Sequence, residues 1–191
     1  MFNRLCVIGV GLIGGSIARA ARQHGLSKNI VGYGRQQDIH NLETAKRLGV
    51  IDEFYLQIED AVKGADALIM AAAVADYMTE TVSETKIKKD SPALTIKLAR
   101  TPDILAGVKG SFVRVGFAAE SEDLVANARK KLTEKGLDLI VANDITGKDS
   151  GFGADTSKVT IIDKNGNIED LPMMSKREVA DKILDRVRET I

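Results

Sequence analysis

Three glycines and a handful of cations are the residues best suited to chemistry. In "VIGVGLIGGS" Gly9, Gly11 and Gly14 stand in G-x-G-x-x-G spacing directly after a short apolar run. In that spacing the first glycine allows a tight turn, the second lets a pyrophosphate approach the backbone, and the third lets a helix pack closely on a strand. The free amides at the helix start, through Leu12 and Ile13 to Gly14, then favour an anion. A turn that needs glycine only for packing would show the same letters. About 20 residues past the last glycine, an acid would grip the ribose hydroxyls of NAD. The chain has Gly34 and Arg35 there. That pair leaves room and a counter-charge for a 2′-phosphate, so NADP is expected over NAD. Asp38 is close enough to keep NAD open.

Later cations point to a different anion. Lys86, Lys88 and Lys89 form a tight cluster, either a solvated loop or a phosphate clamp. Lys131 and Lys135 lie four apart on an expected helix, where like charges repel by a few tenths of a kcal/mol unless an anion sits between them. Both histidines, His24 and His40, come early and read as surface residues. No residue set is assigned to a metal. The single cysteine, Cys6, lies in an apolar strand and reads as inert packing. It excludes an internal disulfide and fits a reducing cytoplasm.

These residues sit on an alternating pattern. Strands are expected at 4–10, 29–34, 52–56 and 66–73, with helices at 12–25, 38–49 and 58–65 between them. This order implies a parallel sheet covered on both faces. Residues 74–92 lack either periodicity, and 93–99 alternate like a half-exposed strand. Strand 111–120, helix 122–136 and strand 137–144 restore the pattern. A glycine-rich loop (146–157) leads to a hairpin at 158–172, with Asn165-Gly166 as a type I′ turn signal. In the closing helix (175–191) Ser175 and Glu178 form a capping box, and Val179, Ile183 and Val187 make the buried stripe. The expected architecture is a single α/β, doubly wound, Rossmann-like and mostly parallel sheet of about six or seven strands. A peripheral hairpin and a protruding arm at 77–99 complete it.

Composition sets the outer bounds. The chain has 191 residues, 44% hydrophobic and 28% charged, an ordinary soluble balance. Its 27 basic and 27 acidic residues cancel, which gives no electrostatic reason to expect nucleic acid or an anionic membrane as partner. No apolar run approaches the roughly 18 residues of a spanning helix. The glycine-punctuated start does not read as a signal peptide.

Two family resemblances follow from these motifs. "VIGVGLIGGSIARAARQHG", "IVGYGR", "AKRLGVID" and "DAVKGADALIMA" resemble the nucleotide-binding domain of prephenate (arogenate) dehydrogenases over roughly residues 1–70. That family brings a catalytic histidine on a separate helical domain, and nothing here matches it. "AAAVADY", "KIKK", "TPDILAGV", "VGFAAES", "LDLIVAND", "GFGADTS" and "LPMMSKREVADKILD" resemble the C-terminal half of phosphopantothenoylcysteine synthetase, from about Asp66 to the end. That resemblance implies activation of a carboxylate by CTP, with Mg2+ possible, and a homodimer formed through the 77–99 arm. It implies Lys86 over the reacting phosphates. Asp76, Pro102, Asp103, Ile104, Leu105, Phe117, Lys131 and Lys135 are the implied CTP contacts. The family's Gly-Gly-Thr turn and its Asn-x-Ser-Ser-Gly stretch are missing from 1–66. Taken together, the two resemblances imply an engineered chimera joined inside the strand "ADALIMAAA" (65–73), binding a nucleotide without completing either reaction. A residual CTP-dependent ligase and an NAD(P)-dependent oxidoreductase are the alternatives.

Overall fold

A computed structural model describes residues 1–83, 85–88, 94–144 and 155–191. The chain runs β1 (Phe2–Ile8), α1 (Leu12–Gln23), β2 (Ser27–Tyr33), α2 (Ile39–Arg47), β3 (Glu53–Tyr55), α3 (Ile58–Val62) and β4 (Ala67–Met70). It continues as β5 (Tyr77–Thr79), β6 (Leu98–Arg100), α4 (Ile104–Gly107), β7 (Val113–Glu120), α5 (Leu124–Glu134) and β8 (Leu139–Asp144). It closes with β9 (Thr156–Ser157), β10 (Val159–Asp163), β11 (Ile168–Asp170), β12 (Met174–Ser175) and α6 (Lys176–Thr190). The expected loop at 146–157 falls mostly outside the described residues.

Eight strands form one sheet in the order β11-β10-β8-β7-β4-β1-β2-β3. The six from β8 to β3 are parallel, and β10 and β11 add an antiparallel edge. Six parallel strands with a hairpin at the edge match the expected architecture, and the hairpin joins the sheet to bring it to eight strands. Val159 to Asp163 pair with Asn143 to Leu139, so the hairpin extends the sheet. Strand parity then sorts the core into two layers. Leu5, Val7, Ile69, Val115 and Val141 pack with α1, α2 and α6 on one face. Cys6, Ile8, Leu68, Ile140 and Ile162 pack with α3, α4 and α5 on the other. Burial pushes the Cys6 thiol up to about 12, so it stays protonated and inert at neutral pH.

One device recurs at the start of three parallel strands. Asp52, Asp66 and Asp138 each stand just before a strand or at its first turn and accept a backbone N–H from a neighbouring strand. Asp52 takes Ile30 N–H at 2.7 Å, Asp66 takes Arg4 N–H at 3.0 Å, and Asp138 takes Arg114 N–H at 2.9 Å. Asp66 also accepts from the Asn3 amide. The backbone N–H of each acid returns a bond to the same partner's carbonyl, at 2.8, 2.9 and 2.9 Å. These paired bonds set the register where sheet hydrogen bonding begins.

The ends of the chain follow local rules. Ser175 Oγ accepts from Glu178 N–H and Glu178 Oε2 from Ser175 N–H, which is the expected capping box. Below it Val179, Ile183 and Val187 are buried as expected, together with Ala180 and Leu184. The β10–β11 turn differs from expectation. A type I′ turn needs positive φ at both central residues, yet Gly166 (φ +90°) has it and Asn165 does not. Gly166 N–H bonds to Asp163 O at 3.0 Å, and the Asp163 carboxylate accepts from the amides of Asn165 and Asn167. That carboxylate organises a longer four-residue loop. Burial acts to raise the Asp163 carboxyl, but the bonds from Asn167, Asn165 and Gly166 outweigh it and hold it below its ordinary range.

The arm is real but sparse. Tyr77 to Thr79 pair antiparallel with Arg100 to Leu98 in a two-stranded ribbon apart from the main sheet. Residues 94–97 carry no strand, against the expected strand at 93–99. Among the described residues no helix is long and apolar enough to cross a membrane.

Two outcomes test this account. Asp66→Ala removes two charge-assisted bonds and should lower unfolding stability by about 2 kcal/mol in urea titrations. Glu53 is held below its ordinary value of 4.5 by hydrogen bonds from Asn29 and Tyr55, with burial opposing and Arg4 and Lys46 assisting. A depressed carboxyl stabilises the fold fully above its unfolded value, and that contribution is lost as pH falls through the folded one. Glu53→Gln should therefore destabilise at pH 7, and the deficit should close on acidification below pH 4.5.

Candidate functional site

Strand order reverses between β1 and β4: the chain moves from β1 outward to β2 and β3, then returns to β4, β7 and β8. In doubly wound sheets the crevice for ligands opens at that switch point, beyond the C-terminal strand ends. Here Gly9 follows β1 and Ala71 to Ala73 follow β4, so the expected strand at 66–73 stops three residues early and leaves these alanines as a wall. A cavity of about 270 Å³ lies between them, bounded further by Leu12, Ile13, Phe117, Asn143 and Lys176.

The glycine loop is packed to its limit. A Cβ on Gly9 would sit 2.6 Å from the backbone of Ala72, and Gly9 has φ +84°. A Cβ on Gly14 would sit 2.1 Å from Gly9 O. Gly11 differs. It caps α1 with no side-chain bond, and a Cβ there would meet nothing within 4 Å. Two of the three glycines are thus required by the fold, and the third leaves open space at the helix start.

The other expected residues divide between the two layers. Phe117 joins the glycine loop at the crevice. Leu105 lies in the opposite core layer, and so do Ala128 and Leu132 of α5, the helix that carries Lys131. There Lys135 Nζ reaches Asp103 Oδ2 at 3.2 Å, tying the Pro102–Leu105 segment to the end of α5. Asp103 Oδ1 also accepts from Ala106 N–H at 3.2 Å and so caps the short turn containing Ile104 and Leu105. Lys131 Nζ meets Glu120 Oε1 at 2.7 Å. The two lysines are therefore compensated by separate carboxylates, which relieves the repulsion expected of their spacing. Asp76 is exposed at the base of the arm, where its carbonyl accepts from Thr101 N–H at 2.9 Å. Lys86 and Lys88 are exposed on the arm, and neither lines the crevice. Lys89 lies outside the described residues.

At the end of β2 the ribose reading weakens. Arg35 Nε stands 3.5 Å from Asp38 Oδ2, and the same oxygen accepts Arg35 N–H at 3.0 Å. Asp38 thus neutralises the cation expected to meet a 2′-phosphate. His24 contacts Asp181 at 3.1 Å, His40 is exposed, and neither borders the crevice. Among the described residues no group of three or more His, Cys, Asp or Glu is placed to hold a metal ion. Sequence reasoning missed Asn143 and Lys176. Both sat inside quoted motifs, "LDLIVAND" and "LPMMSKREVADKILD", but only strand and helix register turns them toward one cavity.

The glycines offer a direct test. Gly9→Ala and Gly14→Ala should each destabilise by about 3 kcal/mol or more, since backbone must shift. Gly11→Ala should cost only about 1 kcal/mol, the difference between glycine and alanine as a helix cap. Thermal unfolding of the three variants side by side checks the order.

Residues 7–191 match the family described as DNA/pantothenate metabolism flavoprotein C-terminal domain. The coenzyme A biosynthesis bifunctional protein CoaBC of Bacillus subtilis (strain 168) is 40% identical over 184 residues, covering 93% of this chain and 45% of that protein. The chain spans less than half the length of the curated relatives of this kind. The crystal structure of the C-terminal domain of CoaBC is 25% identical with a TM-score of 0.66, covering 98% of this chain and 95% of that one. Prephenate dehydrogenase from A. aeolicus, solved with hydroxyphenyl propionate and NAD+, is 17% identical with a TM-score of 0.50, covering 99% of this chain and 57% of that one. At that identity the likeness is one of fold alone. The family match begins ahead of the glycine loop and includes β4, so the reading as an engineered two-donor chimera with its junction inside 65–73 is not supported. The fingerprint misled because a glycine turn between β1 and α1 reports a doubly wound geometry, which the two families share. Residues 7–191, and with them both halves of the sheet, belong to the DNA/pantothenate metabolism flavoprotein C-terminal domain family.

Proposed function

We propose that the chain is a CTP-dependent phosphopantothenate–cysteine ligase module of coenzyme A biosynthesis. The observation that carries this reading is the meeting of Asp103 and Lys135, with Lys131 one turn earlier on the same helix. Segments distant in sequence are brought together there, with two lysines that a triphosphate would draw from their carboxylates. In the proposed reaction the acid's carboxylate attacks the α-phosphorus of CTP and expels pyrophosphate. The amine of cysteine then attacks the acyl carbon of the mixed anhydride and expels CMP. Lys86 supplies positive charge to the phosphates as charge builds there, and such stabilisation is often the largest catalytic contribution. Mg2+, where bound, would add positive charge to the triphosphate. Binding CTP would require Lys131 and Lys135 to exchange Glu120 and Asp103 for phosphate oxygens.

A second reading keeps the nucleotide and omits turnover. It is favoured by the absence from residues 1–66 of the Gly-Gly-Thr turn and Asn-x-Ser-Ser-Gly stretch that handle the acid in the ligase family. The arm belongs to the same proposal. Tyr77, Met78, Val82, Ile87, Leu94, Ile96 and Leu98 are 51–83% exposed in a single chain. A second copy paired through the arm would cover them and form a homodimer.

Two measurements decide these points. Pyrophosphate release from CTP should require both 4′-phosphopantothenate and Mg2+ and should fall at least 100-fold in Lys86→Ala. CTP that raises the melting temperature with no release at high protein concentration would establish the second reading, and no response to CTP of either kind would end both. Light scattering should give a dimer, and Val82→Glu with Ile96→Glu should give a monomer of unchanged far-ultraviolet dichroism.

A further inference from the structure

The crevice holds two polar groups that neither the fold nor the proposed nucleotide site uses. Asn143 lies near the end of β8, paired in register with Val159, on the face that carries α1 and α6. Its Oδ1 is buried and has no hydrogen-bond partner among the described residues. A buried acceptor left unpaired costs about 1–3 kcal/mol, and of the five buried side-chain N or O atoms without a partner among the described residues Asn143 Oδ1 belongs to the one residue that borders the crevice. Lys176, the first residue of α6, is half-buried and borders the same cavity. Its ammonium is paired with no carboxylate among the described residues, whereas Lys131, Lys135 and Lys164 each are. Apart from Ser157, the wall around these two groups is apolar: Ala72, Leu12, Ile13, Phe117 and Val179.

We infer that Asn143 and Lys176 are binding residues for the non-nucleotide substrate. Asn143 Oδ1 accepts from an N–H or O–H of that molecule, and Lys176 holds its anionic group. The ligand class is an acid with an aliphatic body, at least one hydrogen-bond donor and an anionic end. This inference rests on the ligase reading above and assigns its second substrate to the crevice, while CTP lies against the α4–α5 side, which removes Phe117 from the expected CTP contacts. A partly apolar cavity with a few convergent polar groups is the usual form of a small-molecule site.

Calorimetric titration of the full chain with 4′-phosphopantothenate, and separately with CTP, tests this. Asn143→Leu and Lys176→Met should each weaken 4′-phosphopantothenate at least tenfold, Lys176→Arg should stay within about threefold of wild type, and CTP affinity should hold in all three. A structural role is distinguished by melting temperature. Removing an unpaired buried acceptor should leave the ligand-free Asn143→Leu chain as stable as wild type or more so, while its affinity falls. A drop in stability with unchanged affinity overturns the inference. So does loss of CTP affinity in place of the acid's, which would give the crevice to the nucleotide. If wild type binds CTP and the acid and the variants bind equally well, the inference fails and the ligase reading stands. If wild type binds neither, both fail together.

Discussion

The close approach of backbone to backbone at the switch point governs the rest of the structure. Gly9 turns against Ala72, and Gly14 packs against the Gly9 carbonyl, with no room for a methyl group at either place. That contact fixes where α1 leaves β1 and how near the ends of β1 and β4 stand. It therefore sets the width of the crevice between them. The layer of α1 and α6 closes over the same point, since Ile17, Ala18, Ala20 and Ala21 share one core with Val179, Ala180 and Ile183. Small residues on α1 let the two helices come close, and that closeness brings Lys176 beside the glycine loop.

The sheet also acts as a divider. Alternation along β7 sends Phe117 to the crevice side, while Leu105 and the buried face of α5 belong to the opposite layer. Lysines on that second side already have carboxylate partners, at 2.7 Å for Lys131 and 3.2 Å for Lys135. The Lys135–Asp103 pair is partly exposed on both sides, contributes little net stability and so exchanges readily for a phosphate. Glu120 is only 12% exposed, so drawing Lys131 away leaves a largely buried carboxylate without its cation. The same accounting explains why Arg35 is a poor reader of a 2′-phosphate: Asp38 holds it through both its side chain and its amide.

Much of this was readable in the letters. The β-α rhythm, the helix ends at Gly25 and Gly49, the capping box of Ser175 and Glu178, and the inert Cys6 all depend on contacts within a few residues or on simple burial. The family's C-terminal motifs were readable because several occur in order. The Asn165-Gly166 turn was misjudged because a carboxylate just before it, Asp163, captures the loop amides. The ancestry of residues 1–70 was misjudged because a glycine turn is a steric solution open to any sheet of this topology.

Residue type and spacing by themselves determined the layered α/β architecture, the glycine turn and the cationic candidates, because hydrophobic period and steric demand are local properties. Only the tertiary structure decided which candidates meet. It joined Asp103 to Lys135 and separated both from Phe117. It turned Asn143 into the crevice beside Lys176. Those outcomes depend on strand order and register, which are set by pairings between residues far apart in the chain, such as Asp66 with Arg4 and Val159 with Asn143.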